Sequence, residues 1–219
     1  MIKRFNHSLG VIAILMFLSA CGGSSSEIPS VEAPDTAVPP PTQEGPPPPP
    51  SSAFIALLSP EQTAEIKALG VPLVVPTSIP AGFLVTHVES IQEEEFPSYR
   101  ILYRDGSDRC FLVEYAAAGV GDIPATEYRI PISPPLFEGG EYGLNYGSYV
   151  DPSLKAQFPE SELMSDWLPK ANGVYRLAGA AYINDTLSPV NPCQDLTPEE
   201  AVQIIESFAL ITEEIVGDG

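Results

Sequence analysis

Proline placement is the feature that most limits how this chain can fold. Ten of its 25 prolines lie in residues 22–52, a stretch that is also rich in glycine and serine. Proline removes a backbone hydrogen-bond donor, and this stretch lacks the apolar residues that a core requires. Residues 21–52 are therefore predicted to form a disordered tether, stiffened into polyproline II near its end. A core can form only in residues 53–219, which is enough for a single globular domain.

The charge of the chain excludes one large class of partners. There are 29 acidic and 10 basic residues, which gives a formal net charge of −19 at neutral pH. Nucleic-acid binding depends on clustered Lys and Arg side chains that neutralise phosphates, and this sequence has no such cluster. We therefore expect no nucleic-acid partner.

The first twenty residues have the three-part pattern of an export signal. Lys3 and Arg4 precede an apolar run over residues 9–18, and small residues follow it. The apolar run is shorter than the roughly 20 residues that are needed to cross a bilayer. Residues 1–20 are therefore predicted to be a signal peptide that is removed from the mature protein.

The end of this segment, Leu18-Ser19-Ala20-Cys21, resembles the lipobox of bacterial lipoproteins. The resemblance implies cleavage before Cys21, diacylglycerol on its sulfur and an acylated new N-terminus, so that palmitate-like chains anchor the protein to a membrane. Because Gly22 follows the cysteine, either the cell membrane or the outer membrane is allowed, with the domain facing the periplasm or the exterior. The alternative is an ordinary signal peptide with an incidental cysteine.

Capping signals mark two helices, one at each end of the domain. Ser59 and Gln62 form a capping-box pattern with Pro60 at the first helical position, and residues 197–200 form a second such pattern. Apolar residues then recur at helical spacing in the second segment. These are Ala201, Ile204, Phe208, Ile211 and Ile215.

Alternation of apolar and polar residues predicts the strands. They are expected over residues 83–89, 99–103, 110–115, 127–132, 141–150, 163–168 and 174–178. The second and third are expected to pair as a hairpin across the turn-forming residues 105–108. The fold class predicted is α+β: an antiparallel sheet with the N- and C-terminal helices packed on one face.

Residues 76–83, with the pattern P-x-x-I-P-x-G-F, resemble the opening of bacterial extracytoplasmic domains of unknown function. Such domains occur in lipoproteins and in membrane-tethered envelope sensors and regulators. Trp167 before the turn at residues 170–173, and the helix end at residues 204–208, extend the resemblance over roughly residues 76–210. It implies a domain that monitors the envelope. Because the sequence shows no second transmembrane or anti-sigma segment, we do not extend the regulator role of those proteins to this chain.

Three cysteines remain to be assigned. With Cys21 lipidated, Cys110 and Cys193 form an even pair, which in an exported domain usually becomes a disulfide. Such a bridge would pin the loop before the last helix to the edge of the hairpin; two unpaired buried cysteines are the alternative. No metal site and no cofactor are expected, because His87 is the only histidine after the signal peptide and zinc usually takes four ligands.

Residues 137–149 are rich in glycine and tyrosine and form the one candidate binding surface. If they form a strand, Tyr142 and Tyr146 share one face, and Tyr149 lies on the other face with the glycines. Aromatic rings that carry hydroxyls suit glycans or peptides. The alternative is that the tyrosines pack in the core and the glycines allow a bend or bulge.

No catalytic motif is found, and no catalytic residue is assigned. His87 lies in an alternating strand, where a structural role is favoured over that of a general base, and nucleophile-elbow, P-loop and zinc-protease patterns are missing from the sequence. We therefore expect a lipid-anchored envelope protein with a non-catalytic binding or sensing domain whose partner is an envelope protein, peptide or glycan. A structural or assembly role in an envelope complex is one alternative, and a hydrolase of envelope polymers with paired carboxylates is the other.

Overall fold

A computed structural model describes residues 55–93, 96–117 and 120–211. The expected signal peptide, Cys21 and the tether lie outside these residues, and so does Ile215. The helices in the described part are α1 Pro60–Lys67, α2 Pro152–Gln157, α3 Ala180–Leu187 and α4 Pro198–Glu206, with a 3-10 turn at Pro135–Phe137. Among these described helices, none combines the length and apolar character needed to cross a membrane.

The strands form one large antiparallel sheet and one small ribbon. The bounds are β1 Val74–Pro76, β2 Leu84–Ile91, β3 Ser98–Arg104, β4 Cys110–Ala116, β5 Thr126–Ile132, β6 Tyr142–Tyr149, β7 Glu162–Ser165, β8 Leu168–Lys170, β9 Gly173–Ala178 and β10 Phe208–Leu210. The sheet has the order β2-β3-β4-β9-β7-β6-β5, with β8 paired to β9, while β1 pairs with β10. The predicted α+β class is confirmed in its coarse form, a mainly antiparallel β domain with a few helices.

Each face of the sheet is covered by its own apolar core. In β3 and β4, neighbouring residues alternate between the two cores, as the pleat of a strand requires. The main core contains Tyr99 and Phe111 together with Ile66 of α1 and Ile204 of α4, so residues of both terminal helices lie in the same cluster. The smaller core contains Leu102 and Leu112, together with Ile183 of α3.

Both predicted capping boxes are present. In the second box, the Thr197 backbone N–H donates to Glu200 Oε2 at 3.0 Å, and the Glu200 backbone N–H donates to Thr197 Oγ1 at 3.2 Å. These reciprocal bonds satisfy two N–H groups that the first helical turn leaves free. In the first box, Ser59 and Gln62 make the corresponding pair of bonds.

The last helix is shorter than its periodicity predicts. It ends at Glu206, and the expected helical positions Phe208 and Ile211 fall in β10 and just after it. The Ser207 hydroxyl donates to the Ile204 carbonyl at 2.8 Å, and the following residues pair with β1 instead of continuing the helix. The prediction of helix over residues 208–211 is wrong because this short apolar run fits a strand as well as a helical turn. Pairing with β1 selects the strand.

The structure contains two helices and one interruption of a strand that the sequence does not predict. The expected strand over residues 163–168 is divided into β7 and β8. Neither α2 nor α3 was predicted, although Asp151 caps α2 locally by accepting from the Ser153 and Leu154 backbone N–H groups. The start of α3 is capped from far along the chain: the Ala180 N–H donates to Asp195 Oδ1 at 2.6 Å.

The predicted disulfide between Cys110 and Cys193 is confirmed, with their Cα atoms 5.5 Å apart. Backbone hydrogen bonds reinforce it on both sides. The Cys110 N–H donates to the Gln194 carbonyl at 2.9 Å, and the Gln194 N–H donates to the Asp108 carbonyl at 2.8 Å. The segment between α3 and α4 is therefore fastened to the start of β4.

Replacing both bridged cysteines with serine is expected to lower the free energy of unfolding by about 4 kcal/mol. The bridge joins residues 83 positions apart and restricts the unfolded chain accordingly. Urea denaturation of Cys110→Ser/Cys193→Ser measures the change, and reduced wild-type protein serves as the control because it should match the variant. Coincident curves for the variant and the oxidised wild type would contradict the prediction.

Candidate binding groove

A groove runs along the face of the sheet that α3 covers. It consists of two cavities, one of about 900 Å³ between α3 and residues 157–162, and one of about 470 Å³ beside residues 120–124. Both cavities are lined by Tyr149, Met164 and Tyr182. We name this feature the α3 groove. Each cavity taken singly has a volume in the range typical of small-molecule sites.

Three charged residues on neighbouring strands form the floor of the smaller cavity. Arg100 of β3, Glu114 of β4 and Arg176 of β9 are direct cross-strand partners. Glu114 is only 5% exposed, and it accepts from Arg100 Nε at 2.8 Å and from Arg176 Nε at 2.7 Å. A buried carboxylate is tolerated only with such charge-paired donors, so the three residues form one electrostatic unit.

Aromatic rings enclose the guanidinium group of Arg176. Its Cζ atom lies 4.1 Å from the Trp167 ring centroid and 4.3 Å from that of Tyr182. The Tyr182 hydroxyl also donates to Glu114 Oε1 at 3.0 Å. Cation–π contacts and this hydrogen bond hold both rings in the groove wall. Contacts within the protein therefore hold this wall of the groove in place.

The larger cavity is acidic. Its lining includes four carboxylates and, among the described residues, no Lys or Arg side chain. The four are Glu160, Glu162, Asp185 and Asp195. The nearby guanidinium of Arg176 is already engaged by Glu114. Among the described residues that line this end of the groove, every charged side chain is therefore acidic.

Glu162 differs from the other three acids. It is 8% exposed, and its Oε2 atom accepts no hydrogen bond from the described residues. Burial raises the pKa of Glu162, and the charges of Asp185 and Asp195 act in the same direction, whereas Tyr149 and Arg176 lower it. The buried position of this oxygen therefore costs folding free energy.

Asp195 has a clear structural role in the same cavity. Its Oδ1 atom accepts from the Ala180 N–H, as described above, and so caps the start of α3. Burial raises the pKa of this carboxyl, and the bond to Ala180 opposes the shift. Asp195 therefore positions the helix that forms one wall of the groove.

The structure separates the three tyrosines that the sequence grouped as binding candidates. Tyr142 and Tyr146 pack against the main core on the other face of the sheet, and Tyr146 stacks on Tyr128 with ring centroids 5.1 Å apart. Tyr149 lines both cavities of the α3 groove, where burial and the Glu162 carboxylate raise its pKa to about 12. Only Tyr149 therefore reaches the groove.

Gly147, in the strand β6 that also carries the three tyrosines, allows a bend. Gly147 has a φ of +90°, and the pairing of β5 with β6 shifts register opposite it, between Thr126 and Tyr128. A side chain at this position would be strained, which accounts for glycine near the end of β6.

His87 lies outside the groove. It is exposed on β2 and borders a separate cavity of about 470 Å³ beside residues 187–191. Within the described residues, no group of three or more His, Cys, Asp or Glu side chains is arranged to hold a metal ion.

Sequence reasoning missed most of the groove. Glu114 and Arg176 carried a signal, because each is a charged residue inside an otherwise apolar strand. Tyr182 and Glu162 carried none, since the elements that place them in the groove depend on distant contacts. For Trp167, the sequence offers only the resemblance of its surroundings to extracytoplasmic domains.

Comparison of the chain with protein-family models, curated proteins and solved structures found no match.

Glu114→Gln is expected to lower the free energy of unfolding by about 3 kcal/mol. The change leaves the buried Arg176 without its counter-charge and Arg100 with only Glu89, at 3.1 Å, which costs more than the loss of an exposed pair. Glu127→Gln is the matched control, because it removes the charge from an exposed pair with Lys155 at 3.1 Å while its amide oxygen is still able to accept from the Ser148 N–H, so stability should change little. Urea denaturation measures both, and equal effects in the two variants would contradict the interpretation.

Proposed function

We propose that this protein is a lipid-anchored component of the bacterial envelope whose globular domain binds a ligand in the α3 groove without transforming it. The observation that carries the proposal is the groove itself. Each of its two cavities is of ligand size, and its walls bear ordered aromatic rings. Apolar walls with a few polar groups are typical of binding sites.

Several contacts favour a preformed site. Trp167 and Tyr182 are held on Arg176, and Tyr149 packs edge-on against Phe158 with ring centroids 6.1 Å apart. Rings fixed in this way lose little conformational freedom when a ligand binds, so more of the contact energy appears as affinity. Their flat faces and hydroxyl groups suit peptides or glycans.

The anchoring part of the proposal rests on residues outside the described structure. The lipobox-like segment ending at Cys21 supports attachment of lipid, and the proline-rich tether supports reach from the membrane. A strongly acidic domain is repelled by anionic lipid, so the charge and the tether both favour a position away from the bilayer. The resemblance to envelope-sensing domains agrees with this arrangement.

A hydrolase of envelope polymers is the second candidate, because one observation favours it. Glu162 and Asp195 line one cavity, and burial raises the pKa of each carboxyl, as expected of an acid held protonated for catalysis. Asp195, however, is already committed to the start of α3 by its bond to Ala180. Binding without turnover is therefore the function we favour.

Tyr149→Ala is expected to weaken ligand binding about tenfold, because it removes a ring from the wall shared by both cavities. The full chain, purified in detergent, is titrated with short glycans and peptides released from peptidoglycan, and binding is followed by calorimetry. Tyr128→Ala is the matched control: it removes a tyrosine that is 56% exposed and lies outside the groove. This variant should bind as the wild type does.

Three outcomes would contradict the proposal. The first is that no peptidoglycan fragment binds; the second is that both tyrosine variants retain full affinity. The third is steady conversion of a fragment into new products by the wild type, followed by chromatography, which would favour the hydrolase.

Cys21→Ser is expected to abolish lipid attachment and to leave the protein either unprocessed or free of mature lipid. The reason is that acylation requires the thiol of the lipobox cysteine. Fractionation of cells and mass spectrometry of the N-terminal peptide measure the result, and Ser24→Ala in the tether is the control. Normal acylation of the Cys21→Ser protein would refute the anchor.

A further inference from the structure

We infer that the oxidation state of the Cys110–Cys193 pair controls the α3 groove: helix α3 forms the groove wall only while the disulfide is closed. The inference rests on the proposed binding function and adds its regulation. Residues 188–197, which we name the α3–α4 segment, carry it. This segment contains Cys193 and contacts α3 near both ends of the helix.

The disulfide is the firmest attachment of the α3–α4 segment to the sheet. Among residues 188–195, Cys193 alone is buried. The Gln194 bonds described above, and the bond that Arg104 Nη2 donates to the Asn191 carbonyl at 3.0 Å, lie within two positions of the bridge. Because the segment buries so little apolar surface, we expect it to open readily once its covalent link is lost.

The same segment holds α3 near both of its ends. At the start, Gly179 occupies the N-cap position and has no side chain to cap the helix, so the Ala180 N–H donates instead to Asp195. In the last turn, the Asn184 side chain accepts from the Cys193 N–H at 2.7 Å and donates to the Cys193 carbonyl at 3.1 Å. The backbone of the bridged cysteine is thus bonded directly to α3.

Helix α3 has little stability of its own. It has eight residues, and an isolated helix of this length does not persist in water. Its sequence, A-A-Y-I-N-D-T-L, includes Asn, Asp and Thr, which are poor helix formers. At its C-cap, Ser188 has a φ of +45°, in the left-handed region that is costly for a residue with a side chain. The helix therefore depends on contacts outside itself, and the α3–α4 segment supplies those at its two ends.

Release of α3 removes a wall that both cavities share. Tyr182 of α3 lines both of them, donates to Glu114 and lies on the guanidinium of Arg176. The charged floor is different, because strand pairing holds Arg100, Glu114 and Arg176 in place. The two cysteines belong to the smaller core, and the main core lies on the opposite face. Opening the bridge is therefore expected to abolish binding and to leave the sheet folded.

Closing the bridge is a two-electron oxidation. Two S–H bonds break and one S–S bond forms, while two electrons and two protons pass to the disulfide of a thiol oxidant, which becomes a dithiol. A dithiol reductant reverses this exchange. Disulfides persist outside the reducing cytoplasm, so an exported domain gains its binding wall only after oxidation there.

Hydrogen exchange of the full chain in detergent, followed by mass spectrometry, tests the inference without a ligand. Oxidised and reduced wild type are compared. Reduction is carried out in urea, which is then removed with reductant still present, so the result does not depend on access to the sulfurs. In the reduced form, the amides of α3 should exchange within about tenfold of the rate of an unstructured chain, whereas those of β3 and β6 should remain protected.

Trp167, the one tryptophan of the chain, reports the state of the groove wall. Its ring and that of Tyr182 enclose Arg176, so the loss of Tyr182 should raise the quenching of Trp167 fluorescence by acrylamide. Calorimetry with the peptidoglycan fragments should show at least about tenfold weaker binding to the reduced form. Reoxidation should restore exchange, quenching and binding to their original values.

Asp195→Ala tests the link between the segment and the helix in oxidised protein. It keeps the disulfide and removes the acceptor of the Ala180 N–H, so the first turn of α3 should lose protection and Trp167 quenching should rise. Asp195→Asn is the matched control. It carries the same change of net charge but keeps an acceptor oxygen, so α3 should stay protected.

The outcomes separate this inference from the proposed function. Control by the disulfide is overturned if α3 stays protected in the reduced protein, if β3 and β6 lose protection together with α3, or if the two Asp195 variants behave alike. Equal binding by the oxidised and reduced forms also overturns it and leaves the groove as a binding site. If no fragment binds the oxidised protein, the proposed function fails, while exchange and quenching still decide whether the disulfide controls α3.

Discussion

The pairing of Glu114 with two arginines is the interaction on which the centre of the sheet depends. The three residues occupy facing positions on β3, β4 and β9, and the carboxylate between them is almost fully buried. Burying one charge alone would cost several kcal/mol, so these strands can pair in this register only if all three charges meet. The same contacts fix Tyr182 and Trp167, and in this way a requirement of the sheet also shapes the groove.

The opposite face of the same three strands forms part of the main core. Tyr99, Tyr115 and Tyr175 are also cross-strand partners and pack ring against ring in the main core. The hydroxyls of Tyr99 and Tyr175 bond backbone groups of Val74 and Pro72, which fastens the segment leading into β1 to the sheet. Successive residues of each strand thus build the core on one side and the groove floor on the other.

This arrangement explains how much of the molecule could be predicted from the sequence. Local signals were sufficient for the capped helix starts and for the hairpin of β3 and β4, because turn and cap residues act over a few positions. From that hairpin, Arg100 opposite Glu114 could also have been deduced. The pairing of β4 with β9, and the cap that Asp195 supplies to α3, join residues far apart in the chain. No local sequence pattern encodes such contacts, so the groove could be recognised only in the folded structure.

The two buried acidic residues on this face differ in how the protein balances their charges. Glu114 receives donors from Arg100, Arg176 and Tyr182, so its charge is balanced within the protein. Glu162, buried to a similar degree, keeps one oxygen without a donor and lies among further acids. A chain that was optimised for stability alone would place an apolar or amide side chain there. Cross-strand donors therefore account for the buried charge of Glu114, whereas at Glu162 only Tyr149 and the charge of Arg176 oppose the cost of burial.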